Sequence, residues 1–258
     1  ELTKAGWDSL DVGTEMVVNP NEWQTRGKKW QDVRTAINKA KRDGITDVLT
    51  TFKEAPFSVQ TQIREISAQW AGKKALPEMG FTLGGVDELI DSRVRLLYAV
   101  DGNGKVLGVT SWLPTYRDGT IIGWTLDFMR HRTDSVNGIM EFLIARMAER
   151  LRDEGNVEFM SLSAAPLAGM GSNKGEHEES EVLRHALQMV ADIMEPAYGF
   201  HSLFRFKLKF HPDEEKVYIC YPDAAKLPQI SLAVAQAYVP SLTPAEAMRF
   251  VRTIAPRD

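Results

Sequence analysis

The chain has 258 residues, of which 43% are hydrophobic and 26% charged, a composition typical of a globular protein with one large core or two small ones. It contains no apolar run that could cross a bilayer, which takes about 18 residues or more. The net charge of −4 argues against indiscriminate binding to nucleic acid.

Metal and disulfide chemistry are disfavoured by the residue types available. Cys220 is the only cysteine, which excludes an internal disulfide framework and a thiolate cluster. The five histidines do not have a metal-ligand spacing such as HExxH. We therefore expect no metal and no other cofactor. Because the first residue is Glu1 rather than methionine, we also expect the chain to be part of a longer protein.

The N-terminal part is predicted to hold one short strand, GTEMVVN, followed by two helices. In WQDVRTAINKAKRDG, apolar residues recur at helical spacing at Val33, Ile37 and Ala40, and Gly44 is a suitable residue to end the helix. A second helix is predicted over residues 58–72. Three β-type runs, separated by turns at residues 101–104 and at Asp118-Gly119, then predict an antiparallel meander of three strands over residues 94–130.

The first of these helices is unusually basic. Between Arg26 and Arg42 there are seven basic residues and one acidic residue, a local charge of 7 − 1 = +6. Such a block is a possible footprint for a polyanion, although a solvated helix face has the same composition. The candidate contacts on the polar face are Arg34, Asn38, Lys41 and Arg42.

The C-terminal half alternates helices with strands. A helix is predicted over 137–154, a strand at VEFMSLSAAPL, and a further helix near 180–195. Two strands, in YGFHSLFRFKLKFHP and KVYICYPD, and a mostly helical tail over 229–258 complete the chain. Strands grouped in hairpins, with helices covering a face, predict an α+β fold.

The stretch LFRFKLKF is the most unusual of these predicted strands. Strand alternation would place Arg205, Lys207 and Lys209 on one face and the apolar side chains on the other. Lys207 and Lys209 would then lie about 7 Å apart, close enough to share an anion. The alternative is a solvated strand face.

Four motifs in a fixed order resemble one known family. They are Asp127-Phe128-Met129-Arg130, the Ala165-Pro166-Leu167 turn, Tyr198-Gly199-Phe200, and the Phe206-to-Phe210 segment. Together they resemble the cytosolic catalytic region of the aminoacyl-phosphatidylglycerol synthases, the multiple peptide resistance factor family. The resemblance covers nearly the whole chain.

The resemblance implies a fold of the GNAT acyltransferase type, with a mixed, largely antiparallel sheet flanked by helices. That family carries this unit in tandem. We therefore expect residues 1–46 to be the end of a first unit with a basic linker helix, residues 47–228 to be the catalytic domain, and residues 229–258 to be a helical tail.

The implied reaction moves an amino acid, lysine or alanine, from aminoacyl-tRNA to the hydroxyl of a membrane lipid such as phosphatidylglycerol. The implied partners are aminoacyl-tRNA, an anionic lipid, and a membrane-embedded domain of the parent protein at the cytoplasmic face. Two alternatives stay open: a Fem-like transferase acting on a peptide or cell-wall precursor, and a non-catalytic module that binds RNA or membranes. The glycine-rich loop Q/R-x-x-G-x-G/A of CoA-dependent enzymes is absent from the sequence, which disfavours acyl-CoA as donor.

The resemblance and the chemistry together give a candidate catalytic set. Asp127 is a candidate for proton transfer or for binding the α-ammonium of the donor. Arg130 is a candidate for binding phosphate or the oxyanion. Lys207 and Lys209 are catalytic candidates that would bind a phosphate of the lipid or of the tRNA terminus. On a regular strand Asp127 and Arg130 would point to opposite faces, so we expect a bulge or a strand end near Phe128.

Further residues are candidates for substrate contacts. They are Glu78 and Phe81 in PEMGFTLGG, Ser163 beside the Ala-Pro-Leu turn, Glu195, and Arg205. We expect Ser161 and Ser163 to make hydrogen bonds within the strand rather than to act as nucleophiles, because no G-x-S-x-G elbow surrounds them. The methionines of the 137–154 helix are expected to pack in the core.

Overall fold

The computed structural model describes residues 2–71, 84–166 and 200–226, together with positions 229, 230, 233 and 237. The helices are α1 (Gln31–Arg42), α2 (Phe57–Ala71), α3 (Ile139–Glu154) and α4 (Phe200–Leu208). The strands are β1 (Asp8–Val18), β2 (Thr46–Thr50), β3 (Arg95–Val100), β4 (Val106–Arg117), β5 (Thr120–His131), β6 (Phe159–Pro166) and β7 (Asp213–Tyr221).

The described strands form one seven-stranded sheet in the order β2-β3-β4-β5-β6-β1-β7. Neighbouring strands are antiparallel except for β5 and β6, which are parallel. The α3 helix connects these two parallel strands, as a parallel pair requires. The predicted α+β, GNAT-like fold with a mixed, largely antiparallel sheet is confirmed.

The sheet has a hydrophobic core on each face. The face covered by α1 and α3 contains Trp112 and the α3 stripe that includes Met140 and Met147, so the predicted core role of these methionines is confirmed. The other face contains Ile63 of α2, together with Phe128 of β5. Burying one such side chain stabilises a fold by roughly 1.5–3 kcal/mol, and these two layers hold β5 in place from both sides.

The start of α3 is pressed against α1. Gly138, which precedes α3, has a φ of +91°, and a Cβ atom added to it would lie 2.9 Å from Cβ of Ala36. A larger residue would be strained at Gly138 and would also collide with α1. Glycine at this position therefore lets the N-terminal end of α3 lie directly against the basic helix.

Most predicted elements are present at nearly the predicted residues. The first two helices, the three-stranded meander, the α3 helix and strands β6 and β7 are confirmed. β1 is longer than the predicted GTEMVVN strand, and the short strand β2 was not predicted. The predicted 180–195 helix lies outside the described residues, as does most of the 229–258 tail.

The prediction of a strand at LFRFKLKF is wrong, because residues 200–208 form the helix α4. Helical spacing brings Phe206 and Phe210 together, with ring centroids 5.6 Å apart, against the core. Residues two apart do not face each other in a helix. Lys207 and Lys209 therefore do not form the predicted row of cations.

The sheet contains strands from both of the first two predicted segments of the chain, residues 1–46 and 47–228. β1, within the predicted first segment (residues 1–46), lies between β6 and β7 of the same sheet. The division at residues 46 and 228 stays a prediction. Among the described residues, no helix is long and apolar enough to cross a membrane.

Candidate functional site

A gap between two parallel strands forms the centre of the candidate site. β5 and β6 are paired only at Gly123–Phe159, Trp124–Met160 and Thr125–Ser161. Both strands continue beyond this point, to His131 and Pro166. One wall of the resulting gap is the segment of β5 that carries Asp127 and Arg130, and the other is the end of β6.

A β-bulge shapes the first wall. The pairing of β4 with β5 shifts between Leu126 and Met129, so that Asp127 and Phe128 both oppose Ser111. The N–H of Phe128 donates a hydrogen bond to Oγ of Ser111 over 3.1 Å. The bulge predicted near Phe128 is confirmed, and the serine hydroxyl satisfies a backbone group that the bulge removes from the ladder.

Asp127 lies half-buried beside a glycine backbone. Its Oδ1 accepts a hydrogen bond from the N–H of Gly84 over 3.1 Å. Burial raises the pKa of the Asp127 carboxyl, and the nearby charge of Glu88 raises it further. The Gly84 hydrogen bond and the Arg130 charge lower this pKa but do not outweigh burial. Asp127 therefore holds a proton more readily than an ordinary aspartate.

The side chain of Arg130 is buried between aromatic rings. Its exposed fraction is only 4%, and its guanidinium carbon lies 3.4 Å from the ring centroid of Trp70 and 4.8 Å from that of Phe128. Nη1 donates to the carbonyl oxygen of Met129 over 2.9 Å. The close contact with the Trp70 ring restricts the guanidinium, whose planar set of donors suits it for binding an anion.

A cavity of about 510 Å³ begins at Arg130 and follows the loop 131–138 to the first turn of α3. Its wall includes Trp70 from α2, Glu141 from α3 and Phe206 from α4. This volume is within the range of small-molecule sites. Asp127 and Lys207 lie outside the cavity wall.

Lys207 is a buried cation at the end of β6. Its exposed fraction is 3%, and Nζ donates to the carbonyl oxygens of Ser163 and Ala164 over 3.2 and 3.1 Å. Burial lowers the pKa of Lys207 from 10.5 to about 8, although the charge of Glu15 opposes this change. Lys207 thus carries positive charge at neutral pH in a place from which water is largely excluded.

A chain of hydrogen bonds joins three strands at the gap. Ser163 has a φ of +67°, which is uncommon for a residue other than glycine, and its Oγ donates to the carbonyl oxygen of Leu126. The N–H of Ser163 donates to Oγ of Ser161 over 2.9 Å, and Ser161 donates to Glu15 over 2.6 Å. The predicted hydrogen-bonding role of the two serines is confirmed, and it places Lys207 and Asp127 on either side of the Ser163–Leu126 link.

The side chain of Lys209 points toward the cavity rather than toward Lys207. Its Nζ lies 2.7 Å from Oε1 of Glu141 and 5.6 Å from the ring centroid of Phe206. Glu141 is in the first turn of α3. Lys207 and Lys209 therefore serve two different parts of the site, the strand gap and the cavity.

Comparison with known proteins gives the family. The family model described as phosphatidylglycerol lysyltransferase, C-terminal, matches residues 1–221, which is most of the chain. The chain belongs to this family. The resemblance inferred from the four sequence motifs is confirmed.

Individual relatives agree with this membership. The chain is 41% identical over 239 residues to an uncharacterized protein of Corynebacterium glutamicum, covering 93% of this chain and 30% of that protein. It is 29% identical over 222 residues to phosphatidylglycerol lysyltransferase of Bacillus subtilis, covering 84% of this chain and 24% of that protein. The chain thus spans less than a third of the length of either relative.

A solved structure has the same fold. The structure of L-PGS from Bacillus licheniformis matches with a TM-score of 0.71 and 23% sequence identity. The match covers 92% of this chain and 68% of that chain. It supports the overall fold described above.

Of the candidate residues on the basic helix α1, one is held by hydrogen bonds to a neighbouring loop and the other three are exposed. Nη1 of Arg34 donates to the carbonyl oxygens of Thr25 and Gly27 over 2.7 and 2.9 Å, so Arg34 holds the preceding loop. Asn38, Lys41 and Arg42 are exposed on α1, and Arg205 is exposed on α4. Their contact with substrate stays a prediction.

Three predicted site residues have no described position, and four residues near the site were not predicted. Glu78, Phe81 and Glu195 lie outside the described residues. Sequence reasoning assigned no role to Glu15, Gly84, Ser111 and Glu141. These four residues reach the site only through the fold, and the sequence contains no local signal that marks them as site residues.

Proposed function

We propose that the protein is an aminoacyltransferase that moves an amino acid from aminoacyl-tRNA to a hydroxyl group of phosphatidylglycerol. The observation that carries the proposal is the gap between β5 and β6. Asp127 and Arg130 lie on its β5 side, Arg130 also forms part of the adjoining cavity wall, and Lys207 binds the carbonyl oxygens at the end of β6. Family membership supports this reaction class, and the residues at the gap are chemically suited to it.

The chemistry is an exchange of esters. The lipid hydroxyl oxygen forms a bond to the carbonyl carbon of the aminoacyl ester, and its proton passes to a base. The tetrahedral oxyanion then collapses, the bond to the tRNA ribose oxygen breaks, and that oxygen takes up a proton. The donor ester is already activated, so orientation, proton transfer and oxyanion stabilisation are sufficient.

Asp127 is the proposed base. Its carboxyl pKa is raised chiefly by burial, which brings a general base nearer to the working pH and makes it more effective. After accepting the hydroxyl proton, the neutral Asp127 can return that proton to the leaving ribose oxygen. The Gly84 N–H fixes the orientation of the carboxylate throughout.

Arg130 and Lys207 are the proposed cationic groups. Arg130 lies on the cavity wall and suits a phosphate of the lipid or of the tRNA terminus. Lys207 has three N–H donors, of which two bind Ser163 and Ala164. The third N–H has no acceptor among the described residues, and it is the proposed donor to the oxyanion, with a strength increased by low solvent exposure.

The finer details follow from the resemblance. We infer that lysine or alanine is the transferred amino acid, that the exposed residues of α1 contact tRNA, and that a membrane-embedded domain of the parent protein places the site at the cytoplasmic face of the membrane. The charge block Arg26–Arg42 supports the tRNA contact.

The experiment is a matched panel of donors and acceptors. The purified protein is incubated with labelled lysyl- or alanyl-tRNA and with vesicles of phosphatidylcholine that contain or lack phosphatidylglycerol, and the extracted lipids are separated by chromatography. We expect a labelled, alkali-labile lipid only when phosphatidylglycerol is present. Label that moves instead to an added amino-terminal peptide would favour the Fem-like alternative, and label that stays on tRNA in every arm would contradict the proposal.

A further inference from the structure

One corner of the cavity already holds an organic ammonium group. Glu141 and Phe206 both form part of the cavity wall, and the Nζ atom of Lys209 lies 2.7 Å from Glu141 and 5.6 Å from the ring centroid of Phe206. A carboxylate beside an aromatic face is the combination by which proteins recognise alkylammonium ligands. The corner therefore has the chemistry of an ammonium subsite.

Lys209 is well placed to leave this corner. It follows the last residue of α4, Leu208, and is not itself part of the cavity wall. Its side chain is 37% exposed, whereas that of Glu141 is only 14% exposed. A lysine side chain with one end near solvent can turn outward by rotation of its flexible stem, without a change in the backbone.

We propose that Glu141 and Phe206 form a subsite for an ammonium group of the aminoacyl substrate, and that Lys209 occupies this subsite until the substrate arrives. The inference rests on the proposed function, because it is the aminoacyl group that supplies the ammonium. Exchanging one ammonium for another keeps Glu141 paired before and after the substrate binds, so binding never leaves a half-buried carboxylate without a counter-charge.

An aminoacyl group has one or two ammonium groups that could fill the subsite. Every aminoacyl group carries an α-ammonium, and a lysyl group carries a second one on its side chain. Both are alkylammonium groups, and analogues that lack either the α-ammonium or the side-chain ammonium show which of the two is bound. If the side-chain ammonium is the ligand, Glu141 also determines the preference for lysine.

The test is a calorimetric titration of the purified protein with four adenosine derivatives. Each carries an acyl group on a 3′-amide, which cannot be transferred: lysyl, norleucyl, 6-aminohexanoyl or hexanoyl. The norleucyl compound retains only the α-ammonium, the 6-aminohexanoyl compound only the side-chain ammonium, and the hexanoyl compound neither. The variants are Glu141→Gln and Lys209→Met, with Lys209→Gln as a second replacement that removes the same charge.

The matched control is Lys216→Met. Lys216 forms a comparable ion pair with Asp11, at 3.1 Å, on strands β7 and β1. We expect Lys209→Met and Lys209→Gln to tighten binding of the ammonium-bearing analogues about tenfold, and Glu141→Gln to weaken it about tenfold or more. Hexanoyl binding should be unchanged by all three variants, and Lys216→Met should leave every affinity unchanged. The analogue that responds identifies the ammonium that is bound.

Three results would overturn the inference: no binding of any ammonium-bearing analogue to the wild type, no response to the Glu141 and Lys209 variants, or an equal response of the hexanoyl compound. The titration does not depend on turnover, so it separates this inference from the proposed function. If binding depends on Glu141 but no label reaches the lipid, the proposed reaction is wrong and the subsite stands. If label reaches the lipid but binding does not depend on Glu141, the subsite is wrong and the proposed reaction stands.

Discussion

Gly84 donates its N–H to Oδ1 of Asp127 over 3.1 Å, and a Cβ atom added to Gly84 would lie only 1.8 Å from Oδ2 of the same carboxylate. The backbone at this position thus approaches Asp127 more closely than any side chain would permit. The orientation of the proposed base depends on a residue 43 positions away in the sequence.

Replacing Gly84 by alanine is therefore expected to displace Asp127. We expect kcat for aminoacyl transfer to fall by about 10²-fold, since a shift of about 1 Å in a catalytic group has an effect of this size. The control is Gly102→Ala, because a Cβ atom at Gly102 would meet no atom within 4 Å. Equal rates for the two variants would show that the close approach of Gly84 to Asp127 does not matter for catalysis.

The pH dependence of transfer should report the raised pKa of Asp127. A carboxylate acts as a base only when ionised, so activity is lost as the pH falls through its pKa in the folded protein. Because burial raises that pKa, the acid limb of kcat/KM should lie above the ordinary aspartate value of about 3.9. The measurement is a pH profile of the initial transfer rate, and an acid limb at or below the ordinary value would contradict the assignment.

Lys207 should make the folded protein more stable as the pH rises from 8 to 10.5. Its pKa is about 8 in the folded protein against 10.5 as the ordinary value. In this window the unfolded chain binds the additional proton, so the free energy of unfolding increases with pH, by at most about 3 kcal/mol from this group.

The Lys207→Met variant isolates this contribution. Denaturant unfolding at several pH values between 8 and 10.5 should show a smaller rise in stability for the variant than for the wild type. Lys226→Met, which alters an exposed lysine, is the control and should retain the wild-type slope. A Lys207→Met slope identical to that of the wild type would mean that the buried lysine does not have a lowered pKa.

The exposed basic residues of α1 should contribute to tRNA binding through phosphate contacts. Reversing the charge of Lys41 and Arg42 to glutamate should weaken binding and reduce the slope of log K against log salt by about 2, or about 1 for each lost phosphate contact. Arg34 is unsuitable for this test because it holds the loop at Thr25 and Gly27.

A charge-matched control is available elsewhere on the surface. Lys53 and Lys226 are both exposed and lie outside α1, so Lys53→Glu with Lys226→Glu changes the net charge by the same amount. Filter binding with tRNA over a series of salt concentrations compares the two double variants. A slope reduced equally in both would indicate that net charge alone, rather than this helix, governs binding.

The sequence predicted the elements whose periodicity is set by a single buried face. The α3 stripe and the strand-turn-strand pattern of residues 94–130 are of this kind, and both are confirmed. LFRFKLKF misled because alternation of apolar and basic residues is the ordinary mark of a strand. In the fold, Lys207 enters the interior, where two backbone carbonyl oxygens accept hydrogen bonds from its Nζ. The local sequence pattern does not show this compensation.

The same limit applies to the candidate site. Asp127 and Arg130 are candidate site residues because a family motif contains them. The bulge is predictable because residues three apart on a regular strand point to opposite faces. Ser111, which supports that bulge, lies on a predicted strand, but no local pattern marks it as the partner of the Phe128 N–H. Glu15, whose charge acts on Lys207, comes from β1, whose pairing the sequence does not specify. Contacts between residues so distant in sequence are set by sheet order, which short-range patterns do not determine.

The most direct test of the account is a single-turnover measurement of aminoacyl transfer from labelled tRNA to phosphatidylglycerol vesicles by the wild type and by Asp127→Asn. Asn retains the size of Asp127 but cannot accept the proton. Asp91→Asn, on an exposed aspartate paired with Arg93, is the matched control. The account predicts a rate loss of about 10²–10⁴-fold for Asp127→Asn with tRNA affinity unchanged and full activity for Asp91→Asn. An Asp127→Asn protein that transfers the label at the wild-type rate would contradict the account.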